Sequence, residues 1–226
     1  MSQNKKVILL GGGNSISLGL QKNLWEKIKG NEIWSLNYGF LAMPYLPNKQ
    51  VWVDIRFFEK NIDKLQKLSE QGVSLTARKH LKYAGLTERI ELYEGTREQC
   101  NYYGREACSK GVIYYGRMGF CGMFALSLAV GCGYNNIFLL GYDFGTTSPI
   151  DKKTHFYQGL VKTMSTGVGR PEVYRNDKNK VKIEVNDFNI YTRETDVRIT
   201  NVSLNSNIPF FRKIDYDTFF EELYAD

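Results

Sequence analysis

A run of four apolar residues, Val7-Ile8-Leu9-Leu10, passes directly into Gly11-Gly12-Gly13-Asn14-Ser15 and then into a helical pattern over about 17–29. A strand that is apolar at every position has no solvent side, so it belongs in the middle of a sheet covered on both faces. Three glycines after it let the backbone turn sharply and approach a neighbour closely. Gly30 marks the end of the helical pattern. Strands at 32–36, 50–53 and 73–76 follow, with a helix over 57–71 between the last two. Strands alternating with helices require crossover connections and a parallel sheet. The expected fold is α/β: a Rossmann-like, doubly wound, mostly parallel sheet.

The stretch 119–144 extends this pattern. Residues 120–130 form an apolar helix rich in small residues, among them Gly122, Ala125, Ser127 and Ala129. A buried strand at 136–140 follows, with Gly141-Tyr142-Asp143-Phe144 at its carboxyl end. Ligands of open α/β sheets bind outside the carboxyl ends of the strands, where Asn37, Asp54 and Asp143 are all expected. From 148 to 194 the alternation breaks down, although Lys180-Val181-Lys182-Ile183-Glu184-Val185 has the period of a half-exposed strand. This region reads as a lid or small inserted lobe. A last core strand at 197–203 and a closing helix at 216–224 complete a single domain over 1–226.

Composition narrows the function classes. The chain of 226 residues is 42% hydrophobic, enough for a sizeable core, and carries a formal charge of +6 that favours anionic partners. Cys100, Cys108, Cys121 and Cys132 show no C-x-x-C spacing, which points away from a zinc site and toward a reducing, cytoplasmic compartment. No run is long enough for a signal peptide core or a membrane span. A homo-oligomer is compatible with the sequence.

Several residues are suited to chemistry. The loop Gly11, Gly12, Gly13 at the start of a helix offers backbone N–H groups to an anion, and Asn14 and Ser15 add side-chain donors. The pattern is neither G-x-x-x-x-G-K-[ST] nor a full G-x-G-x-x-G. Asn37 and Asp54 could cap the following helices or face a ligand. Asp143 could bind a sugar hydroxyl, hold a metal or orient a donor. His155 has the ordinary pKa, about 6.5, of a group that moves protons near neutrality. His80 reads as part of a strand-to-helix loop. Asp215-Tyr216-Asp217 has D-x-D spacing, but at a helix start acidic residues serve the dipole. The Tyr-Tyr-Gly-Arg segments at 102–105 and 114–117 could stack bases, or be structural tyrosines beside exposed arginines.

Three segments carry a family resemblance: the glycine loop with Asn14-Ser15-Ile16-Ser17-Leu18; Gly119-Phe120-Cys121-Gly122 running on to Gly141-Tyr142-Asp143-Phe144; and Ile199-Thr200-Asn201-Val202-Ser203 with Ser206 and Ile208. Together they resemble the bacterial CMP-sialic-acid-dependent sialyltransferases and the related flagellin-modifying and phage-encoded glycosyltransferase-like proteins. The resemblance implies a Rossmann-like transferase with a nucleotide on the glycine loop. It also implies Asn14 and Gly122 beside the nucleotide, Asn37 and Asp54 near its phosphates or sugar, and His155 as general base. Ile16 stands where the family has proline, and Gly145-Thr146-Thr147 where tyrosines support the leaving phosphate. A nucleotide sugar other than CMP-sialic acid is therefore the better expectation.

The leading expectation is an inverting, metal-independent glycosyltransferase that uses a nucleotide-sugar donor and no cofactor, with a glycan or a modified DNA base as acceptor. One alternative is a Mg²⁺-dependent pyrophosphokinase, like an archaeal pterin diphosphokinase family that shares the G-x-D neighbourhood, with Asp54 and Asp143 as metal ligands. Another is a non-catalytic nucleotide-binding module.

Overall fold

The computed structural model describes residues 4–78, 90–93, 121–144, 155–157, 188–189 and 196–225. The strands are β1 Lys6–Leu10, β2 Ile33–Leu36, β3 Lys49–Trp52, β4 Ser74–Arg78, β5 Ile90–Tyr93, β6 Asn136–Leu140, β7 Arg198–Asn201 and β8 Arg212–Lys213. They form one sheet in the order β5-β4-β3-β2-β1-β6-β7-β8, and every neighbouring pair is parallel. The chain winds outward from β1 to β5, then returns to the other side of β1 with β6. Between β1 and β6 lies the switch point at which sheets of this kind open a crevice. The Rossmann-like α/β fold expected from the sequence is what the structure shows.

Side-chain alternation along β1 explains its apolar run. Ile8 and Leu10 face one core, with α2 (Leu24–Ile28), α3 (Ile55–Glu70) and α5 (Tyr216–Tyr224). Val7 and Leu9 face the other, with α4 (Cys121–Gly131). Helix α4 is buried nearly all round, as its uniformly apolar sequence requires. In α3, the buried Asn61 turns its amide back to the Phe57 carbonyl at 2.7 Å and the backbone leaves helical geometry there. Such back-bonding is a known cause of a kink.

The single helix expected over 17–29 is two short ones, α1 (Ile16–Leu20) and α2. Tight bonds from Lys22 N–H to Gly19 and from Asn23 N–H to Leu20 close α1, and Asn23 is left-handed at φ +59°. Tertiary packing fixes α1 from below: a Cβ on Gly19 would come within 2.4 Å of the Tyr216 ring. The strands β5 and β8 were not expected. The strand expected over 180–185, His80 and both Tyr-Tyr-Gly-Arg segments lie outside the described residues. Within the region expected to be a lid, the described pieces are core: Phe156 and Tyr157 join the first cluster, and Phe188 the second.

Phe219 of α5 meets Phe138 of β6 edge-on at 5.1 Å, and both are fully buried. Phe219→Ala should destabilise the fold by about 3–5 kcal/mol, measured by denaturant unfolding.

Candidate functional site

At the switch point the glycine loop is bonded to the end of β6. Gly11 N–H donates to the Leu140 carbonyl at 2.7 Å and Gly13 N–H to the Gly141 carbonyl at 2.8 Å. Gly141 makes this possible by adopting φ +70°. Asp143 closes the connection. Its carboxylate accepts Ser15 N–H at 2.7 Å on one oxygen and the Ser15 hydroxyl on the other. Asp143 is 6% exposed, and a Cβ on Gly13 would come within 2.6 Å of its carboxyl carbon.

This changes what the loop offers a ligand. The N–H groups of Gly11, Gly13 and Ser15 are committed within the chain, and the five-residue α1 already receives a carboxylate at its start. Among the described residues, the donors left for an anion are the Gly12 and Asn14 N–H groups and the Asn14 amide, whose oxygen accepts the Ser17 hydroxyl at 3.2 Å. The arrangement is a braced turn that keeps a smaller donor set than an open helix N-terminus.

His155 and Tyr157 lie over Gly12. A Cβ there would come 2.6 Å from His155 Cδ2 and 2.7 Å from the Tyr157 hydroxyl, so only glycine fits beneath them. Their rings stack at 5.2 Å and 23°, and Phe156 N–H donates to the Gly12 carbonyl at 3.1 Å. Tyr157 is buried and His155 partly so. Burial pushes the His155 pKa below its ordinary value and the Tyr157 pKa above it. The imidazole is therefore neutral at pH 7.

Asn37, Asp54 and Asp143 follow β2, β3 and β6 on the same sheet edge. The β1–β2 register ends at Leu10↔Ser35, two residues short of Gly12 and Asn37. Asn37 is partly buried and left-handed at φ +50°. Asp54 is exposed and caps α3, accepting Arg56 N–H at 2.9 Å. Gly122 stands at the start of α4 against Tyr142, whose hydroxyl donates to the Gly122 carbonyl at 3.0 Å. Among the described residues no three His, Cys, Asp or Glu side chains gather as a metal site would need. In strand order β3 and β6 are three spacings apart, roughly 14 Å. Asp54 and Asp143 are therefore badly placed to share one Mg²⁺. In the D-x-D segment, Asp215 caps α5 through Thr218 N–H and Asp217 pairs with Lys22.

A polar cluster that the sequence reading did not single out as functional, with Asn201 and Ser206 buried and Asn207 exposed, supports the G-Y-D-F turn from the β7 side. The Asn201 amide and the Ser206 hydroxyl both donate to the Tyr142 carbonyl, at 3.2 and 2.6 Å. Asn207 N–H donates to the Asp143 carbonyl at 3.0 Å and the Asn207 amide to the Phe144 carbonyl at 2.6 Å. Phe144 is thereby held at φ +49°, a conformation that costs an aromatic residue on the order of 1–3 kcal/mol. The polar residues of Thr200-Asn201-Val202-Ser203 with Ser206 were the signal available in the sequence.

A solved MAf glycosyltransferase from Magnetospirillum magneticum AMB-1 shares this fold at TM-score 0.51 and 15% identity, covering 93% of this chain and 33% of that one. The chain thus spans about a third of the length of that glycosyltransferase, and the likeness shows a glycosyltransferase-like fold. No protein-family model matches the chain, and no curated protein matches it. No helix among the described residues is long and apolar enough to cross a membrane.

Two outcomes follow from this geometry. Asp143→Asn replaces one acceptor with a donor opposite Ser15, and should cost on the order of 1–3 kcal/mol in denaturant unfolding. His155 has a lowered pKa in the folded state, so the unfolded chain binds its proton first as pH falls below about 6.5. Stability should therefore drop from there down through the folded-state pKa. The drop should be smaller in His155→Gln, compared by unfolding curves across pH 5–8.

Proposed function

We propose that the protein is a nucleotide-sugar-dependent glycosyltransferase, inverting and metal-independent, that acts on a hydroxyl of a glycan or of a modified DNA base. The observation that carries this reading is His155 lying over the glycine loop at the sheet's switch point, with Asn37 on the same sheet edge. A neutral imidazole there can accept a proton, and the two uncommitted N–H groups, of Gly12 and Asn14, can meet a phosphate oxygen.

The step has the acceptor oxygen forming a bond to the anomeric carbon from the face opposite the leaving group. Its proton passes to His155. The bond between the anomeric carbon and the donor phosphate oxygen breaks, and the nucleotide leaves with the electron pair. The protein contributes orientation and fixed dipoles, and these dominate where bond-making groups are held in place. In this mechanism Asp143 braces the loop through Ser15, and Asp54 contributes through the start of α3. The fold shared with the MAf glycosyltransferase supports the class of reaction; the donor's base and sugar are left to experiment.

Thermal unfolding in the presence of CMP, UDP, GDP, or ATP with Mg²⁺ tests the donor class. A ligand at about a hundred times its dissociation constant stabilises by roughly 2.7 kcal/mol. The expected outcome is a metal-independent shift with one of the first three. His155→Ala should keep that shift and lose on the order of 10²–10⁴-fold in turnover of the matching sugar conjugate. A shift with ATP and Mg²⁺ alone would replace the reading with a pyrophosphokinase, and undiminished turnover in His155→Ala would remove it as the base.

A further inference from the structure

Leu10, Ser35, Gln50 and Leu75 form one row across β1 to β4, each the register partner of the next. Leu10 and Leu75 belong to the first apolar cluster, and Ser35 and Gln50 stand between them at 0% exposure. Two polar residues in the middle of a core row need partners, because a buried polar atom left unbonded carries the full cost of its lost hydration.

The nitrogen end of Gln50 has them. It donates to the Asn37 carbonyl at 2.8 Å and, more weakly, to the Val51 carbonyl at 3.4 Å. Both neighbours are acceptors, which fixes the amide with its nitrogen toward them and its oxygen away. That oxygen, Gln50 Oε1, and the Ser35 hydroxyl are buried and have no hydrogen-bond partner among the described residues. They stand on adjacent strands, whose backbones lie about 4.8 Å apart, yet they do not bond to each other.

A group joining them must donate to Gln50 Oε1, which carries no proton, and bond to a hydroxyl, which can give or take one. An ion would place a bare charge among Leu10, Leu75, Tyr38 and Phe57. A water molecule meets both requirements without charge. Gly39, which is buried, lies beside the same hydroxyl. A Cβ on it would come 2.9 Å from Ser35 Oγ and 3.6 Å from the Leu10 carbonyl oxygen. Glycine therefore keeps that side of the hydroxyl clear of side-chain atoms, with a further acceptor alongside.

We propose that a single internal water binds between the Ser35 hydroxyl and the Gln50 amide oxygen, beside Gly39, as a fixed part of the fold. Gln50 is then held at both ends, by the water on its oxygen and by the Asn37 carbonyl on its nitrogen. The turn after β2 is tied to the core through that water. The inference stands independently of the reading of the sheet edge as a nucleotide site.

A crystal structure of the whole chain, at a resolution that shows ordered waters, tests it directly. The expected result is one density peak within hydrogen-bond distance of both Ser35 Oγ and Gln50 Oε1. Melting tests the same point in solution. Removing a hydroxyl that holds a water is destabilising, whereas removing an unpartnered one is neutral or stabilising. Ser35→Ala should therefore melt below the wild type. Its effect should largely vanish in the Gln50→Met background, where the water has already lost its other partner. Should Gln50→Met not fold, the wild-type density and the Ser35→Ala melt decide without it. A direct bond between Ser35 and Gln50 in the crystal, an empty map between them, or a Ser35→Ala variant that melts at or above the wild type would each overturn the proposal.

Discussion

The carboxylate of Asp143 on Ser15 is the interaction on which the candidate site depends. It joins the loop after β1 to the turn after β6, the two strands that flank the switch point. Two backbone bonds from Gly11 and Gly13 run alongside it, but only the carboxylate neutralises the start of α1. A helix of five residues has little cooperative stability of its own. Its place is set by Asp143 at one end and by Tyr216 packed on Gly19 at the other.

Several features of the sheet edge follow from that connection. With the loop tied down, the 155–157 segment packs directly on Gly12. The turn carrying Asp143 must itself be rigid, and the Asn201, Ser206 and Asn207 side chains hold its carbonyls in place. Left-handed backbone at Asn37 and Phe144 then brackets the crevice on both sides. Such conformations persist only where surroundings over-determine them, and here side-chain amides take part, Gln50 on the Asn37 carbonyl and Asn207 on the Phe144 carbonyl.

The parts of the fold that were readable in advance were those with strong local signals. The strand over Asn136–Leu140 and the helix over Tyr216–Tyr224 have the boundaries expected of them, because an apolar run and an acidic helix start leave few alternatives. The break in the 17–29 segment was not readable. Gln21, Lys22 and Asn23 give no strong stop signal; the turn there comes from contacts made far away in the chain. A two-residue strand such as β8 has too few residues to show a period. For the site, residue types and the sheet edge could be inferred, but their partners could not. Ser15 and Asp143 are 128 residues apart, and nothing local at Asp143 says that a helix start will claim its carboxylate. Likewise the bond from the Gln50 amide to the Asn37 carbonyl depends on where β3 comes to rest beside β2, whereas the Asp54 cap is local and was open to inference.

The unequal setting of the three tryptophans has an optical consequence. Trp34 and Trp52 are fully enclosed, at 1% and 0% exposure, in opposite cores. Trp25 is partly open, and its ring lies 6.3 Å from that of Phe156, whose own N–H is bonded to Gly12. The emission of the folded protein is therefore a steady blue-shifted background from two indoles plus a variable component from the third. That third indole is one side chain removed from the glycine loop, so the chain carries its own fluorescent gauge of whatever displaces the 155–157 segment.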